Sequence, residues 1–297
     1  MAVVFEGNEC IQDTVNCYLW AGFFSVATNR GSIMRYTQQC VPQNMVVCVP
    51  QCDGNIQDEN SWQSEVERYR KYAKDRKKVF VVGTLANKIE MPETNYLYLP
   101  LDDGFFEHGM DIYLREEVDA LPWESRSSQL CWRGGCSGGG LKSLRVRFVD
   151  TVYQYNKNTD VRLTRRWSEN QKIPEQLFDH TGRDTVHHTE FFKHKIFFIV
   201  DGNVIASNHM YGFGSGAVPF LISNGLCWFT HLIEPFVHYV PIKYDLSDLV
   251  EKIEWVQAND DEARTIASNA LNFSRTYFSA TYQHGYIRNK LNSFVDV

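Results

Sequence analysis

Short hydrophobic runs recur along this chain, and helix-length or loop-length spacers separate them. Most of the runs are continuous rather than alternating, which is typical of strands that are buried on both faces of a parallel sheet. This pattern predicts an α/β protein. The runs cover Met45–Val49, Val79–Val82, Tyr96–Pro100, Gln129–Trp132, Val161–Thr164, Ile196–Val200, Val218–Ile222 and Val237–Val240.

Helix signals are strongest near the C-terminus. Ser247 and Asp248 precede apolar residues at helical spacing, and Asn259 stands three residues before Glu262, in the manner of a capping box. Part of the tail at 277–297 is predicted to be helical. Upstream, a change of composition at Leu121–Ser128 suggests a linker between two halves.

Composition excludes several classes of protein. A hydrophobic content of 43% indicates an ordered chain, and a net charge of -6 argues against a nucleic-acid-binding protein. No apolar stretch is long enough to span a bilayer, and the first residues lack the pattern of a signal peptide. The eight cysteines form no CxxC pair, so zinc spacing is absent, and without a secretory signal we expect free thiols and a cytoplasmic protein.

A glycine-rich loop, WRGGCSGGG, spans residues 132–140 and precedes Lys142, Arg145 and Arg147. Backbone N–H groups of glycines approach anions closely, and arginine binds phosphate with two parallel hydrogen bonds. The loop is not a P-loop, because Leu141 stands where lysine is required. Phosphate binding and an ordinary turn both remain open from the residues alone.

Aspartates follow two of the predicted strands. Asp102 and Asp103 come directly after Tyr96–Pro100, and Asp53 comes shortly after Met45–Val49. A carboxylate at the edge of a cleft can act as a general base when burial raises its pKa. The alternative is a solvated turn in which aspartate caps the next helix.

Metal-binding patterns are absent from the sequence. No Asp-x-Asp pair occurs, and no histidine has a metal-ligand spacing. We therefore expect neither a metal nor another cofactor. A departing diphosphate would then need arginines, hydroxyls and backbone amides.

Several ordered motifs carry a resemblance to glycosyltransferase family 90, the family of protein O-glucosyltransferases and fungal capsule xylosyltransferases. The resemblance extends from Cys131 to Phe273. Its motifs are Trp132-Arg133-Gly134, Asp201-Gly202 with Ala206-Ser207, the Gly214–Val218 turn, Pro235-x-x-His238-Tyr239-Val240-Pro241, Asp245–Leu249 and Asn259-Asp260.

The resemblance implies a GT-B architecture of two Rossmann-like lobes facing across a cleft. The lobes would be residues 1–125 on the acceptor side and 126–276 on the nucleotide-sugar side, with a helix at 277–297 packing back on the first lobe. It also implies inverting, metal-independent transfer from a UDP-sugar. Carried over by position, the donor-binding residues would be Arg133, Gly134, Ser137, Ser207, Gly214, Ser215, Gly216, Ala217 and His238.

Two motifs depart from the family pattern. Many members have an arginine shortly after the serine equivalent to Ser207, where this chain has Asn208-His209, so we expect His209 to contribute to donor binding. Members place the catalytic aspartate in an Arg-Asp pair, but Asp53 here follows cysteine. We therefore prefer Asp103 or Asp102 as the base, with Asp53 as the third candidate.

The sequence thus predicts a glycosyltransferase that moves xylose, or else glucose, from a UDP-sugar to a glycan or glycoprotein hydroxyl. Its compact length resembles that of viral or bacterial members. We expect no nucleic-acid partner and no membrane span. One alternative is an inactive sugar-nucleotide-binding or glycan-binding module of the same fold. Another, a kinase or an epimerase, is disfavoured by the failed P-loop and GxGxxG matches.

Overall fold

The computed structural model describes residues 2–6, 9–12, 45–50, 78–82, 96–97, 116–137, 142–164, 172–179, 188–202, 206 and 208–293. Its strands are β1 Ala2–Glu6, β2 Glu9–Gln12, β3 Met45–Pro50, β4 Lys78–Val82, β5 Tyr96–Leu97, β6 Cys131–Gly134, β7 Asp160–Leu163, β8 Ile196–Val200, β9 Val218–Ile222 and β10 Val240–Pro241. Its helices are α1 Leu144–Tyr155, α2 His188–Phe192, α3 His209–Gly214, α4 Leu249–Ala258, α5 Asp260–Tyr277 and α6 Ala280–Asn292.

The chain divides into two compact units. Unit 1 contains Met1–Asp111, Gly225–Thr230 and Tyr277–Val297, and unit 2 contains Ile112–Asn224 and His231–Thr276. The lobe boundaries that the sequence suggested, at residues 125 and 276, stay a prediction. None of the described helices combines the length and apolar character that a membrane crossing requires.

Unit 1 contains a five-stranded sheet in the order β2-β1-β3-β4-β5. Strand β1 runs antiparallel to both of its neighbours, while β3, β4 and β5 are parallel. Within this unit, the ring of Phe278 packs on Phe229 at 5.0 Å and on Trp228 at 5.8 Å between centroids. Helix α6 follows Ser279, whose side chain accepts a hydrogen bond from the backbone N–H of Tyr282.

Unit 2 contains parallel strands throughout its described sheets. Strands β8, β9 and β10 form one sheet, and β6 and β7 form another. A parallel bridge between Ser127 and His194 connects the approach to β6 with the approach to β8. The resulting spatial order is β7-β6-β8-β9-β10.

This order has a topological switch point between β6 and β8. The chain moves from β6 to one side to form β7, and then crosses back to the other side to form β8. In open α/β sheets, ligands bind in the crevice outside the carboxyl ends of the strands at such a point. The topology therefore predicts that a ligand would bind beside the residues that follow β6 and β8.

The core explains why these strands read as continuous apolar runs. Phe148 of α1 packs against Trp132 of β6 at 5.4 Å and Phe198 of β8 at 5.0 Å between ring centroids. On the opposite face of β8, Ile199 lies directly beneath Gly212 of α3, where an added Cβ would come within 2.6 Å. Because helices cover both faces, β8 is apolar at every position.

The α/β class is confirmed, and a strand of the structure overlaps each of the eight predicted runs. The last strand begins later than expected, at Val240, because the preceding residues form a turn. In that turn the backbone N–H of Phe236 donates to the carbonyl oxygen of Tyr239 at 2.7 Å. The pattern also missed β1 and β2, which are short and antiparallel.

Two local expectations need correction. The suggested linker at Leu121–Ser128 packs into unit 2, where Trp123 is 7% exposed and donates a hydrogen bond to Asp260. Asn259 does not act as the expected cap, because its side-chain amide donates to the carbonyl oxygen of Trp255 at 2.7 Å and closes α4 instead.

Candidate functional site

Three segments meet at the switch point of unit 2. They are the loop after β6, the first turn of α1 and the loop after β8, and they contribute Ser137, Arg145, Asp201 and Gly202. We call these four residues the carboxyl-edge cluster. An added Cβ on Gly202 would lie 2.6 Å from Oγ of Ser137 and 3.3 Å from Cζ of Arg145. A side chain at position 202 would therefore require Ser137 or Arg145 to move.

Arg145 supplies the positive charge of the cluster. Its Nε donates to the carbonyl oxygen of Val200 at 3.2 Å, and its Nη1 donates to that of Gly135 at 3.4 Å. The guanidinium also lies 5.9 Å from the ring centroid of Trp132. These contacts fix a planar cation at the carboxyl ends of β6 and β8, where it can stabilise a bound phosphate.

Asp201 is the buried acid of the cluster, with 3% of its surface exposed. Its Oδ1 accepts a hydrogen bond from the backbone N–H of Ala206 at 3.0 Å, and its Oδ2 accepts one from Oγ of Ser223 at 2.6 Å. Burial raises the pKa of Asp201 to about 6, against the opposing effects of these hydrogen bonds and of Arg145.

An aromatic residue lies at the same edge of the sheet. Tyr244 follows β10 and is 37% exposed. Arg147 of α1 donates a hydrogen bond to the carbonyl oxygen of Tyr244 and lies 5.9 Å from its ring centroid. Burial and the nearby charge of Asp201 raise the pKa of the Tyr244 hydroxyl, so the phenol stays neutral.

Arg133 does not join this cluster. Its Nε donates to Asp179 at 2.9 Å, its Nη2 pairs with Asp160, and its Nη1 donates to the carbonyl oxygens of Trp132 and Asp160. The side chain is 7% exposed. These partners occupy the Arg133 guanidinium and connect β6 with β7, and Arg145 is the arginine that lies in the carboxyl-edge cluster.

The turn from Gly214 to Ala217 lies away from the cluster. It precedes β9, so it lies at the amino end of the parallel sheet, whereas the cluster lies at the carboxyl ends. The hydroxyl of Ser215 donates to the carbonyl oxygen of Gly212 and accepts from the N–H of Ala217. Gly216 has a φ of 70°, which favours glycine. The turn and the carboxyl-edge cluster therefore lie at opposite ends of the sheet.

His238 also lies at the amino end, just before β10. Its Nδ1 accepts a hydrogen bond from the backbone N–H of Glu234 at 3.0 Å, and its ring lies 5.3 Å from that of Phe273. Burial lowers the pKa of His238. The structure therefore does not bring His238 together with Ser137, and its expected place at the floor of one pocket is not supported.

The remaining predicted site residues lie in different parts of the chain, and some lie outside the described residues. Gly134 ends β6, and an added Cβ there would come within 2.5 Å of the Trp132 ring. His209 begins α3, is 2% exposed, and contacts the carbonyl oxygen of Ala206 through Nδ1 at 2.7 Å. Ser207 lies outside the described residues. The same is true of the candidate bases, which are Asp53, Asp102 and Asp103.

Sequence reasoning gave Arg145, Asp201 and Tyr244 no role in the site. The signal for Arg145 was present, since a basic stretch follows the glycine-rich loop, but Arg133 lies within the loop itself. Asp201 was visible only as part of an Asp-Gly pair. Tyr244 joins the site through strand order, which one sequence does not reveal. Among the described residues, no group of three or more His, Cys, Asp or Glu is arranged to hold a metal ion.

Comparisons with known proteins identify relatives of this chain. The chain is 29% identical over 198 residues to "Uncharacterized protein 179R" of Invertebrate iridescent virus 6, an alignment that covers 57% of this chain and 17% of that protein. It is 31% identical over 160 residues to Protein O-glucosyltransferase 2 of Danio rerio, covering 52% and 30%. It is 27% identical over 180 residues to Protein O-glucosyltransferase 1 of Homo sapiens, covering 58% and 43%.

These alignments span less than half of each relative's own length. A family model covers more of the chain. The model described as Glycosyl transferase family 90 matches residues 108–296, which include all of the carboxyl-edge cluster. The match extends over well more than half of the sequence, and the chain belongs to glycosyl transferase family 90.

Proposed function

We propose that this protein transfers a sugar from a UDP-sugar to a hydroxyl group of a glycan or a protein, with inversion and without a metal ion. The observation that carries the proposal is the meeting of Ser137, Arg145 and Gly202 at the switch point of a parallel sheet in a glycosyltransferase. A GT-B arrangement of the two units is part of the same proposal.

The carboxyl-edge cluster has the chemistry that a departing diphosphate requires. The Arg145 guanidinium neutralises the charge that develops on the leaving oxygen, and the hydroxyl of Ser137 donates a hydrogen bond to it. Removing one such group typically raises the barrier by about 3 kcal/mol, a factor of hundreds in rate. The ring of Tyr244 at the same edge offers a surface on which the uracil base can stack.

The transfer itself is a single displacement. The acceptor hydroxyl oxygen forms a bond to the anomeric carbon while the bond from that carbon to the UDP oxygen breaks. An aspartate takes the acceptor proton, and our candidates remain Asp103 and Asp102, followed by Asp53. Attack from the face opposite the departing UDP inverts the configuration at the anomeric carbon.

The donor sugar is the least constrained part of the proposal. The sequence favoured xylose over glucose, whereas the animal relatives are named protein O-glucosyltransferases. UDP-xylose and UDP-glucose are therefore the two donors to test first. The same names support a protein hydroxyl as one class of acceptor.

The test is UDP release from a panel of UDP-sugars, with and without EDTA, by the wild-type protein and two variants. We expect selective, EDTA-resistant release that Arg145→Ala lowers by two orders of magnitude or more. Arg264→Ala is the matched control, because Arg264 pairs with Glu124 on the surface. Absence of both UDP release and UDP binding would remove the proposed function.

A further inference from the structure

Asp201 connects three segments of unit 2 at the carboxyl edge. It follows β8, its Oδ2 accepts from the Ser223 hydroxyl after β9, and its Oδ1 accepts from the N–H of Ala206. The backbone N–H of Asn224 also donates to the carboxyl group. All of these partners donate hydrogen bonds, and an ionised carboxylate accepts them more strongly than the neutral acid does, so protonation weakens the set.

The contact with Ala206 extends to the first residue of α3. The carbonyl oxygen of Ala206 contacts Nδ1 of His209 at 2.7 Å, and the N–H of His209 donates to the same oxygen at 3.2 Å. Asp201 thereby fixes Ala206, and Ala206 fixes the start of α3. Gly202, next to Asp201, is the point at which Ser137 and Arg145 meet.

We propose that Asp201 is a positioning residue for donor binding, whose ionised carboxylate holds Gly202 and Ala206 in place and holds them less firmly on protonation. This inference rests on the proposed function, because the ligand whose binding depends on the arrangement is the UDP-sugar. Asp201 acts through Ala206 and Gly202, and the donor contacts are made by Ser137 and Arg145.

The charged and titratable groups that face Asp201 come from several elements. Arg145 on α1 favours the ionised form, and Tyr244 after β10 is close enough for its own pKa to be raised by Asp201. Burial outweighs the favourable contacts and brings the pKa of Asp201 to about 6. The carboxyl group therefore changes its protonation near neutral pH.

The effect on stability has a definite sign. The pKa of Asp201 in the folded protein lies above its ordinary value of 3.8, so the folded state binds the proton more tightly than the unfolded state. This contribution to stability is complete below about pH 4 and is lost as the pH rises through about 6. Donor affinity is expected to change in the opposite direction, since Asp201 holds Gly202 and Ala206 more firmly when it is ionised.

This opposition separates a positioning role from a merely structural one. Asp201→Asn cannot ionise, so it removes the cost of burying a charge but also removes one acceptor for a backbone N–H, and the two effects oppose each other. We therefore expect an unfolding midpoint at pH 7.5 close to that of the wild type, whereas a residue kept only for stability would show a large fall. The asparagine NH₂ group can still donate to Ser223, while one acceptor for a backbone N–H is lost.

The experiment combines two measurements on the full chain. Amide NMR of Ala206 and Asn224 between pH 4.5 and 8 follows the hydrogen bonds directly, without reference to any ligand. Equilibrium binding of UDP-glucose over the same range reports the donor site. The diphosphate of a UDP-sugar is a diester and does not titrate in this range, so a change in affinity comes from the protein.

We expect both amides to shift with a midpoint near pH 6 in the wild type and not in Asp201→Asn. UDP-glucose affinity should fall about ten-fold between pH 7.5 and 5 in the wild type, the size expected for a lost charged hydrogen bond. In Asp201→Asn it should be weak and independent of pH. Asp150→Asn, an exposed carboxylate on α1, is the matched control and should behave as the wild type.

The possible failures are distinguishable. Amides that do not titrate would overturn the inference, whatever the activity. Titrating amides with no binding of UDP-glucose or UDP-xylose would overturn the proposed function, and with it the link to donor binding. A pH-dependent affinity that persists in Asp201→Asn would assign the dependence to another group, such as His209, and would also overturn the inference.

Discussion

Gly202 and Ser137 approach so closely that a Cβ on the glycine would lie 2.6 Å from the serine Oγ. The two residues are 65 positions apart in the sequence and belong to loops that follow different strands. They come together because β6 and β8 are neighbours at the switch point of the sheet. This approach, together with Arg145, is the basis of the predictions about donor binding.

Gly202→Ala should lower donor affinity. The new methyl group must displace the Ser137 hydroxyl or the Arg145 guanidinium, both of which lie within 3.3 Å of its position. We expect at least a ten-fold loss in UDP-glucose affinity, measured by calorimetry. Gly285→Ala is the control, because nothing lies within 4 Å of its Cβ position in α6. Equal affinity in both variants would contradict a donor site at Gly202.

Gly285→Ala should also stabilise the protein. Glycine in the middle of a helix costs about 1 kcal/mol relative to alanine, and the space here is open. The substitution should therefore raise the free energy of unfolding by about that amount. Urea denaturation provides the measurement.

Arg133→Ala should mainly lower stability, whereas Arg145→Ala should mainly lower turnover. Arg133 faces Asp179, whose side chain is 3% exposed, so its loss removes a buried ion pair and should cost about 3 kcal/mol of stability or more. Arg145→Ala should instead lower turnover with a smaller effect on unfolding. Urea denaturation and UDP release measured on both variants provide the comparison. A stable Arg133→Ala variant with poor donor affinity would restore the sequence-based assignment.

Gly216→Ala should destabilise the fold and leave donor affinity unchanged. A residue with a side chain is strained at a φ of 70°, and its Cβ would lie 2.8 Å from Nη2 of the buried Arg126. We expect a loss of about 1–3 kcal/mol in the free energy of unfolding. A specific loss of UDP-glucose affinity, without loss of stability, would return the Gly214–Ala217 turn to the donor site.

Tyr244 should contribute to donor binding through its ring. Tyr244→Ala should weaken UDP-glucose binding about ten-fold, as expected for lost stacking on a base, and Tyr244→Phe should bind nearly as well as the wild type. Calorimetry with UDP-glucose and with glucose 1-phosphate separates a base contact from a sugar contact. An equal effect on both ligands would argue against stacking.

Cys131 should resist alkylation in the folded protein. Burial, followed by the charge of Asp160, raises the pKa of its thiol to about 12, and the residue is 6% exposed. Iodoacetamide at pH 8 should therefore modify it only after denaturation. Mass spectrometry of native and denatured samples measures this, and rapid native modification would show that β6 opens.

Much of the fold follows from local chemistry. A continuous apolar run such as Ile196–Val200 must be buried on both faces, which explains why the strands of unit 2 could be located one by one. Helix α4 was predictable because its apolar residues recur at the period of a helix. Short antiparallel strands such as Ala2–Glu6 have a weaker pattern, and the sequence did not predict them.

For the site, too, some residues were predictable from the sequence and others were not. The glycine-rich loop and the Asp-Gly pair were recognisable as motifs, so Ser137 was predicted and is part of the carboxyl-edge cluster. The choice between Arg133 and Arg145 was not predictable, since both are arginines near the loop. It depends on which guanidinium meets Asp160 of β7 and the buried Asp179.

The sequence by itself determined the α/β class, the strand locations in unit 2 and the family, because these depend on hydrophobic periodicity and on motifs contained in short segments. Only the tertiary structure decided which motifs share an edge of the sheet. Strand order placed Gly202 beside Ser137 and placed the Gly214–Ala217 turn and His238 at the opposite end. The physical reason is that a parallel strand separates its two flanking loops by its full length, whereas neighbouring strands bring distant loops together.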